Sequence, residues 1–440
     1  MHSMSRKLNA YSVYLLMVGI DSLARSIMFT LNLIYQAEVV HLNPLQLVLV
    51  GTTLETACFL AQIPTGVIAD VYSRRFSVVI GYLLTGVGFL LEGLVPTFPA
   101  VLLGNILWGI GATCIDGAQE AWVVDEVGEE HAGRIFTRGS QIGQIMGLVG
   151  IPISVALGSL RLNVPVVTGA LLITLLGLVL PFIMREDGFT PTPREERNSW
   201  QSMGRQLTDA RHMVSLKPML VSIFGATLFM GLSSEGFDRL NQVHFLQDFT
   251  FPILWGLTPV IWFGIISAVG SLLGIATTEL VNRRLNLNHA PSLLRALTII
   301  NSLLLISMLS FALAGNFYLA LIAVWGVGVM RTASRPLYNT WVTQNSDSRV
   351  RATIFSATGM IDAIGQIGGG PAVGYIGERV SIRAALTAAS LLLSPILFFF
   401  LRGFRLLQQG ENTSLEGQPP EVATKIEDAT VSHFLGNRDQ

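Results

Sequence analysis

The sequence predicts an all-α integral membrane fold, twelve transmembrane helices in two pseudo-symmetric six-helix bundles. Three observations carry that prediction. Hydrophobic residues fill 51% of the 440 positions and charged residues only 13%, with a mean hydropathy of +0.55, whereas a typical soluble domain carries about 25% charged residues. Apolar stretches of spanning length recur along the chain. One half of the chain also echoes the other. A soluble protein of this length would outgrow a single hydrophobic core, yet no polar linker cuts it into soluble domains. Bilayer solvation removes the contradiction.

A window of about 20 residues, the length that crosses a hydrocarbon core, gives spans at 10–36, 45–69, 75–95, 99–124, 138–158, 164–184, 218–237, 256–281, 292–314, 317–340, 352–375 and 380–402. The first is read as a membrane helix and not a signal peptide, because its apolar run continues to about Tyr35 with no small-residue cleavage pattern. The domain reading is a bundle over 1–184, a cytoplasmic linker over 185–217, a second bundle over 218–403 and a cytoplasmic tail over 404–440. The second part of the linker is compatible with a short interfacial helix. The tail, rich in Gln, Glu, Pro and Ser, is expected to be mostly disordered.

Basic residues orient the chain. With the N-terminus inside, cytoplasmic loops receive Arg74, Arg75, Arg134, Arg138, Arg283, Arg284, Arg349, Arg351 and the arginines of 185–217. The opposite side receives mainly Arg161, Arg239, Arg379 and Arg383. That bias places both termini in the cytoplasm.

The repeat appears when residue n is set on residue n+219. Trp122 falls on Trp341, Ile135-Phe136 on Ile354-Phe355, Gly109 on Gly328, Gly150 on Gly369 and Pro152 on Pro371, without a gap. A second echo sets Asp70-xxx-Arg74-Arg75 beside Glu279-xxx-Arg283-Arg284. Repeated halves of this kind mark secondary transporters.

The segment GVIADVYSRR, Gly66 to Arg75, resembles the loop signature of the major facilitator superfamily, Gly-x-x-x-Asp-x-x-x-Arg-Lys/Arg, and lies between helices 2 and 3 as that signature requires. Gly66, Asp70, Arg74 and Arg75 match it. In the second copy Glu279, Arg283 and Arg284 remain, but Ile275 stands at the glycine position. The resemblance covers roughly 10–403. QEAWVVDE (Gln119–Glu126) and SEGFDRL (Ser234–Leu240) also resemble a bacterial branch related to drug–proton antiporters. The resemblance implies alternating access by rocking bundles. Helices 1, 4, 7 and 10 would line a cavity, 2, 5, 8 and 11 would line it and join the bundles, and 3, 6, 9 and 12 would face outward. It further implies that the Gly66–Arg75 loop stabilises the outward-open state without touching substrate.

Membrane charges cost at least about 3 kcal/mol at mid-helix on insertion scales, so their placement is informative. Helix 1 carries Asp21 and Arg25, one turn apart on one face. Helix 2 carries Glu55. Helix 4 carries Asp116 and Glu120, and helix 10 carries Arg331 and Arg335. Helix 7 carries Glu235, Asp238 and Arg239 near its outer end, and helix 11 carries Asp362. All lie on the cavity set. Asp21 with Arg25 reads either as a structural pair or as a pair that opens on protonation. Asp116, Glu120, Arg331 and Arg335 read as gating charges, with contact to a charged substrate as the alternative. Asp362 and Glu55 have no nearby basic residue in sequence and read as proton carriers or as neutral acids bonded across helices. Asp21 is the first choice for coupling, with Asp362 and Glu55 behind it. In helix 5, Gly143, Gly147, Gly150 and Pro152 permit close helix approach. Pro371 ends a related glycine run in helix 11. The helix 5 pattern loosely resembles an antiporter motif, and a plain tight interface accounts for it equally.

Other classes find little support. The chain has no Gly-x-x-x-x-Gly-Lys-Ser/Thr loop, no His-Glu-x-x-His pattern and no Thr-Val-Gly-Tyr-Gly filter. An enzyme or a nontransporting receptor is therefore disfavoured. No cofactor or metal is expected. The net charge of −1 argues against nucleic acid. Expected partners are a small-molecule substrate, protons and membrane lipid, for a monomer in the bacterial plasma (inner) membrane. The leading function is proton-coupled efflux of a drug-like or amphipathic compound, supported by Phe29, Tyr35, Trp108, Trp122, Phe229, Phe237, Trp325, Tyr338 and Trp341 as aromatic walls. The alternative is uptake or exchange of a nutrient, lipid or metabolite.

Overall fold

The computed structural model describes residues 9–191, 218–252, 256–284, 290–346 and 351–416, with the side chains of 282, 284 and 410–416 excepted. Among the described residues the chain forms twelve helical units. They are α1 (Ala10–Phe29 continued by Asn32–Glu38), α2 (Pro44–Val71), α3 (Arg74–Leu94), α4 (Phe98–Ile115 continued by Ala118–Val127), α5 (Glu129–Gly158), α6 (Asn163–Ile183), α7 (Pro218–Asp248), α8 (Pro259–Arg284), α9 (Ala290–Ala312), α10 (Phe317–Gln344), α11 (Arg351–Arg379) and α12 (Ile382–Leu393 continued by Pro395–Glu416). Eleven are long and apolar enough to cross a membrane. The twelfth, α11, has the length at 29 residues, but its glycines, Asp362 and Gln366 dilute its apolar content.

Short polar loops start these helices. Asn43 and Gln46 form a reciprocal cap at the start of α2, each side chain taking the other's backbone N–H at 2.8 and 3.0 Å. Ser73 Oγ accepts from Phe76 N at 2.9 Å to open α3. Asn316 and Ser381 do the same for α10 and α12.

Three boundaries differ most from expectation, and the first is the start of α5, at Glu129 and not at 138. α7 does not end at 237 but continues to Asp248, so Glu235, Asp238 and Arg239 lie within the helix and not at its outer end. A hydropathy window stops early there because the polar side chains face protein. Likewise α12 runs past 403 to Glu416, since its last turns are built of helix-favouring Leu, Gln and Glu. Residues 404–416 are thus helical. The expected interfacial helix and the tail beyond 416 lie outside the described residues.

The two halves use one packing scheme. In the N-half α1 packs on α5 and α6, α3 on α4 and α6, and α2 on α4. In the C-half α7 packs on α11 and α12, α9 on α10 and α12, and α8 on α10. Trp122 and Trp341, equivalent by the repeat, are both 1% exposed. Leu171, Leu175 and Phe182 of α6, Ile299 and Ile306 of α9, and Phe398 of α12 are exposed on the outer faces, as bilayer contact requires.

The halves meet at one end. α2 packs along α11, and α5 touches α8. A side chain added at Gly374 would meet Leu45 and Val48, and one at Gly377 would meet Pro44. Gly264 of α8 abuts Val155 and Ile151 of α5. Asn43 Nδ2 donates to Glu378 Oε1 across this contact at 3.4 Å. At the end bearing the arginine loops, Gly66 of α2, Gly133 of α5 and Gly359 of α11 have nothing within 4 Å of a virtual side chain. The molecule is closed opposite the arginine loops and open beside them.

Candidate functional site

The C-half encloses a cavity of about 500 Å³ between α7, α9, α10 and α11. Its wall combines apolar Met230, Leu304, Met308 and Leu393 with hydroxyls of Ser233, Ser234 and Thr358, amides of Asn301 and Asn339, and four charges. Arg331 of α10 pairs with Asp238 of α7 and lies 5.2 Å from the Phe237 ring centroid. Asp362 of α11 accepts from Gln366 Nε2 at 2.8 Å. Arg335 is exposed on the wall and, among the described residues, makes no ion pair within 4.0 Å, although Asp362 lies in its electrostatic range. Asn301 is fully buried. Its Nδ2 donates to Leu297 O at 2.8 Å and to Ser334 Oγ at 3.0 Å, which leaves Oδ1 without a partner. Asn301 belongs to α9 and Leu393 to α12, so two helices expected to face only outward also contribute to the wall.

A second cluster sits where the halves touch. Arg239 Nε donates to Glu235 Oε1 at 2.9 Å on α7, and both side chains are at most 14% exposed. They occupy the space in front of Gly51 of α2, where any added side chain would overlap them. Gly370 of α11 abuts Thr52 and Glu235 in the same way. Glu55, one turn along α2 from Gly51, is in electrostatic range of Glu235, Asp362 and Arg239. Glu55 and Glu235 thus share one arginine, and that arginine is already bonded to Glu235.

The N-half charges are more fully paired. Both Asp21 oxygens take the Arg25 Nε–H at 2.8 Å. Asp116 is in electrostatic range of Arg25 and Glu120. It stands at a break in α4, where Gly117 adopts φ 77°, a left-handed conformation that glycine tolerates. Glu120 Oε2 accepts from Gly117 N at 3.1 Å and so caps the resumed helix. Asp116 and Arg335, paired by pseudo-symmetry in the sequence, lie in separate halves, each with neighbours of its own half.

The loop signature divides its work. Arg74 pairs with Asp125 at the end of α4, donates to Ala121 O at 3.0 Å and lies 5.9 Å from the Phe189 ring centroid. Arg75 donates to Pro181 O of α6. Glu186 accepts from Arg75 N at 2.9 Å and from Ser73 Oγ at 2.6 Å, a carboxylate on the N-terminus of α3 where the helix dipole favours it. The Asp70 side chain caps no amide and pairs with no arginine among the described residues. In the second copy, among the described residues, Glu279 bonds only Arg283 on its own helix, and both are well exposed. The Arg284 side chain lies outside the described residues.

The helix 5 glycines face their own bundle. Gly143 lies against Ser22 and Val18 of α1, and Gly150 against Ser26 and Leu23. Gly147 presents its carbonyl to Ser26 Oγ at 2.6 Å. Pro152 lies inside α5 and Pro371 inside α11. Of the aromatics expected to wall the cavity, Tyr35, Trp122, Phe237 and Trp341 are at most 2% exposed and serve as packing.

Two groups escaped sequence reading. Glu92 of α3 is fully buried and accepts from Gln36 Nε2 at 2.8 Å and Asn105 Nδ2 at 3.2 Å. Its carbonyl takes the Tyr35 hydroxyl at 2.7 Å. The only hint in sequence is a carboxylate inside an apolar run. His244 of α7 is also fully buried, with Nε2 3.1 Å from Phe311 O and Nδ1 2.6 Å from Asp248 Oδ2. Both ring nitrogens face acceptors. Arg383 of α12 approaches Asp248 at 3.5 Å.

Comparison with known proteins agrees with this geometry. The chain is 22% identical over 358 residues, 81% of its length and 86% of the relative's, to the uncharacterized MFS-type transporter YxaM of Bacillus subtilis (strain 168). Its fold is similar to the nucleoside transporter NupG, with a TM-score of 0.70, 14% identity, and 90% and 99% of the two chains covered. It is similar to a peptide transporter POT in complex with sulfate, with a TM-score of 0.69, 14% identity, and 91% and 94% covered. It is also similar to a bacterial homolog of the human lysosomal transporter Spinster in an inward-facing, unoccupied conformation, with a TM-score of 0.66, 14% identity, and 92% and 98% covered. The family model of the Major Facilitator Superfamily matches residues 14–370, and the chain is a multi-pass membrane transporter belonging to that superfamily.

Proposed function

We propose that this transporter moves a small hydrophilic metabolite by uptake or exchange, and that the C-half cavity is where the solute is held. The four charges set among hydroxyls and amides on that cavity wall carry the reading, because an amphipathic drug would leave them desolvated and unpaired. The burial of Tyr35, Trp122, Phe237 and Trp341 removes much of the aromatic surface on which drug efflux rested. Fold relatives named as nucleoside and peptide transporters also favour hydrophilic cargo. The arginine loops mark the cytoplasmic side of a bacterial plasma membrane, so the conformation described is open to the cytoplasm. Single cysteines at Asn316 and Ser199, in a background lacking Cys58 and Cys114, then label from opposite faces. Labelling from one face contradicts the orientation.

Proton coupling is best supported at Glu55. Asp21, the first choice from sequence, is engaged by Arg25 through both oxygens. Glu55 faces two other carboxylates, while the nearby arginine is bonded to Glu235. Flux in sealed vesicles, with a pH gradient and then with only a solute gradient, tests both statements. Uphill movement of a polar solute is expected in the native chain. Glu55→Gln is expected to lose it while keeping downhill exchange. Flux of amphipathic cations alone contradicts the cargo. Full pH-driven accumulation by Glu55→Gln removes Glu55 from coupling.

A further inference from the structure

We propose that the cavity selects a zwitterion, a solute that carries a carboxylate and an ammonium group a few bonds apart. The inference rests on the reading of this cavity as a hydrophilic transport site and deepens it.

The wall holds two arginines and two aspartates, and they are not used alike. Arg331 and Asp238 satisfy each other across α10 and α7. Arg335 and Asp362 do not. Arg335 is exposed without an ion pair among the described residues, and the one hydrogen bond made by the Asp362 carboxylate is from the neutral Gln366 amide. One cation and one anion therefore stand on adjacent helices of a single cavity, near enough to influence each other and not joined.

A purely cationic solute meets Arg335, and a purely anionic solute meets Asp362. Either leaves one wall charge opposed and desolvated, which is costly in a confined site. A zwitterion answers both. Its carboxylate suits the planar fork of the Arg335 guanidinium, which can donate two parallel hydrogen bonds. Its ammonium has donors only, and the wall provides acceptors for them. Asp362 is one. The side-chain oxygens of Ser234 and Asn339 on the same wall are others. The cavity of about 500 Å³ sets the size at an amino acid or short peptide.

The experiment uses the purified full chain in nanodiscs and reads thermal stabilisation, then direct binding. The probes are the amino acids and a set of dipeptides, each hit tested beside its C-terminal amide and its N-acetyl form. Uridine stands for neutral polar solutes and tetraphenylphosphonium for amphipathic cations. A zwitterion is expected to bind at least about tenfold tighter than either derivative, the scale of one lost charge-assisted contact. Arg335→Gln is expected to weaken the zwitterion by about tenfold and to leave the amide unchanged, with Arg335→Lys recovering part of the loss. Asp362→Asn is expected to weaken the zwitterion and spare the N-acetyl form. Because Arg335 is exposed, the unliganded midpoint of Arg335→Gln should match that of the native chain and serves as the folding control. The proposal is overturned if no zwitterion binds tighter than its own derivatives, or if Arg335→Gln binds it as tightly as the native chain. Uridine binding with no zwitterion preference sinks this inference alone. Binding of tetraphenylphosphonium with no polar solute sinks the hydrophilic transport reading beneath it.

Discussion

The two copies of the loop signature began as one plan and now do different work. In the N-half copy, Arg74 and Arg75 reach α4 and α6, and Glu186 closes over the start of α3. Three helices and the first residues of the linker are tied at one point. In the C-half copy, among the described residues, Glu279 and Arg283 satisfy only each other, in solvent. The halves differ in the same sense inside the membrane. The N-half binds Asp21 to Arg25 and surrounds Glu92 with amides, whereas the C-half keeps Arg335 and Asp362 apart on a cavity wall. Under the function proposed above, the C-half is the half that receives the solute.

The sharpest test of that division lies where the halves meet. Gly51→Val places a side chain in the space held by Glu235 and Arg239, so the closed end cannot shut. Flux should fall by at least about tenfold, a shift in state populations worth roughly 1.4 kcal/mol or more. Spin labels at Glu38 and Val380, one on each half at that end, should move apart. An unchanged label distance with normal flux rules out the steric lock.

Next in size is the contrast between the copies. Arg74→Ala strands Asp125 and frees Ala121 O, and should lower stability by about 1–3 kcal/mol. Arg283→Ala removes an exposed pair and should cost less than about 1 kcal/mol. Thermal midpoints of the two variants check this, and equal losses would mean that the second copy is as structural as the first. Asp70→Asn belongs between them in kind. Asp70 has no partner among the described residues, so the substitution should leave this conformation intact. It should slow flux by a few-fold through the opposite state, with solute affinity within about threefold. A matching loss of affinity would put Asp70 in the binding site.

The smallest effect is expected at Glu92. Glu92→Gln keeps the shape but replaces one acceptor oxygen with an amide nitrogen that faces donors, and should lower the midpoint by the equivalent of about 1 kcal/mol without changing flux. A loss of pH-driven flux at normal stability would make Glu92 a functional carboxylate and not a structural one.

Much of the architecture is readable in the sequence because a bilayer simplifies the code. Apolar length marks the spans, the arginine pairs mark one face, and the offset of 219 maps helices of one half onto the other. Trp122 and Trp341 occupy equivalent buried positions, as that offset implies. The site is only half legible. Arg331, Arg335, Asp238 and Asp362 stand out as expensive charges, but pairing depends on side-chain reach between helices that sequence spacing does not encode. Asp238 and Arg331 are 93 residues apart. Glu92 draws its partners from 56 residues before it and 13 after. The break in α1 is equally silent, since Leu31 looks like an ordinary helix residue in a one-dimensional window, whereas Asp116-Gly117 at the break in α4 is a turn-type dipeptide that a hydropathy window passes over. The end of α7 was misplaced for a related reason: Asp238, Arg239 and His244 are polar, and hydropathy cannot tell a helix leaving the membrane from one turned inward.

α11 carries glycines toward two neighbours, with Gly365 and Gly369 against α7 and Gly370, Gly374 and Gly377 against α2. Backbone meets backbone or short side chains along both lines, with few interlocked branches to withdraw before the surfaces part. Separation of α2 from α11 therefore uncovers less apolar area than a leucine seam of equal length would. Exposed apolar area is what gives a transition its heat capacity. Opening of this end should accordingly show a small heat-capacity change, and the balance between its shut and open forms should drift little as the temperature of the cell changes.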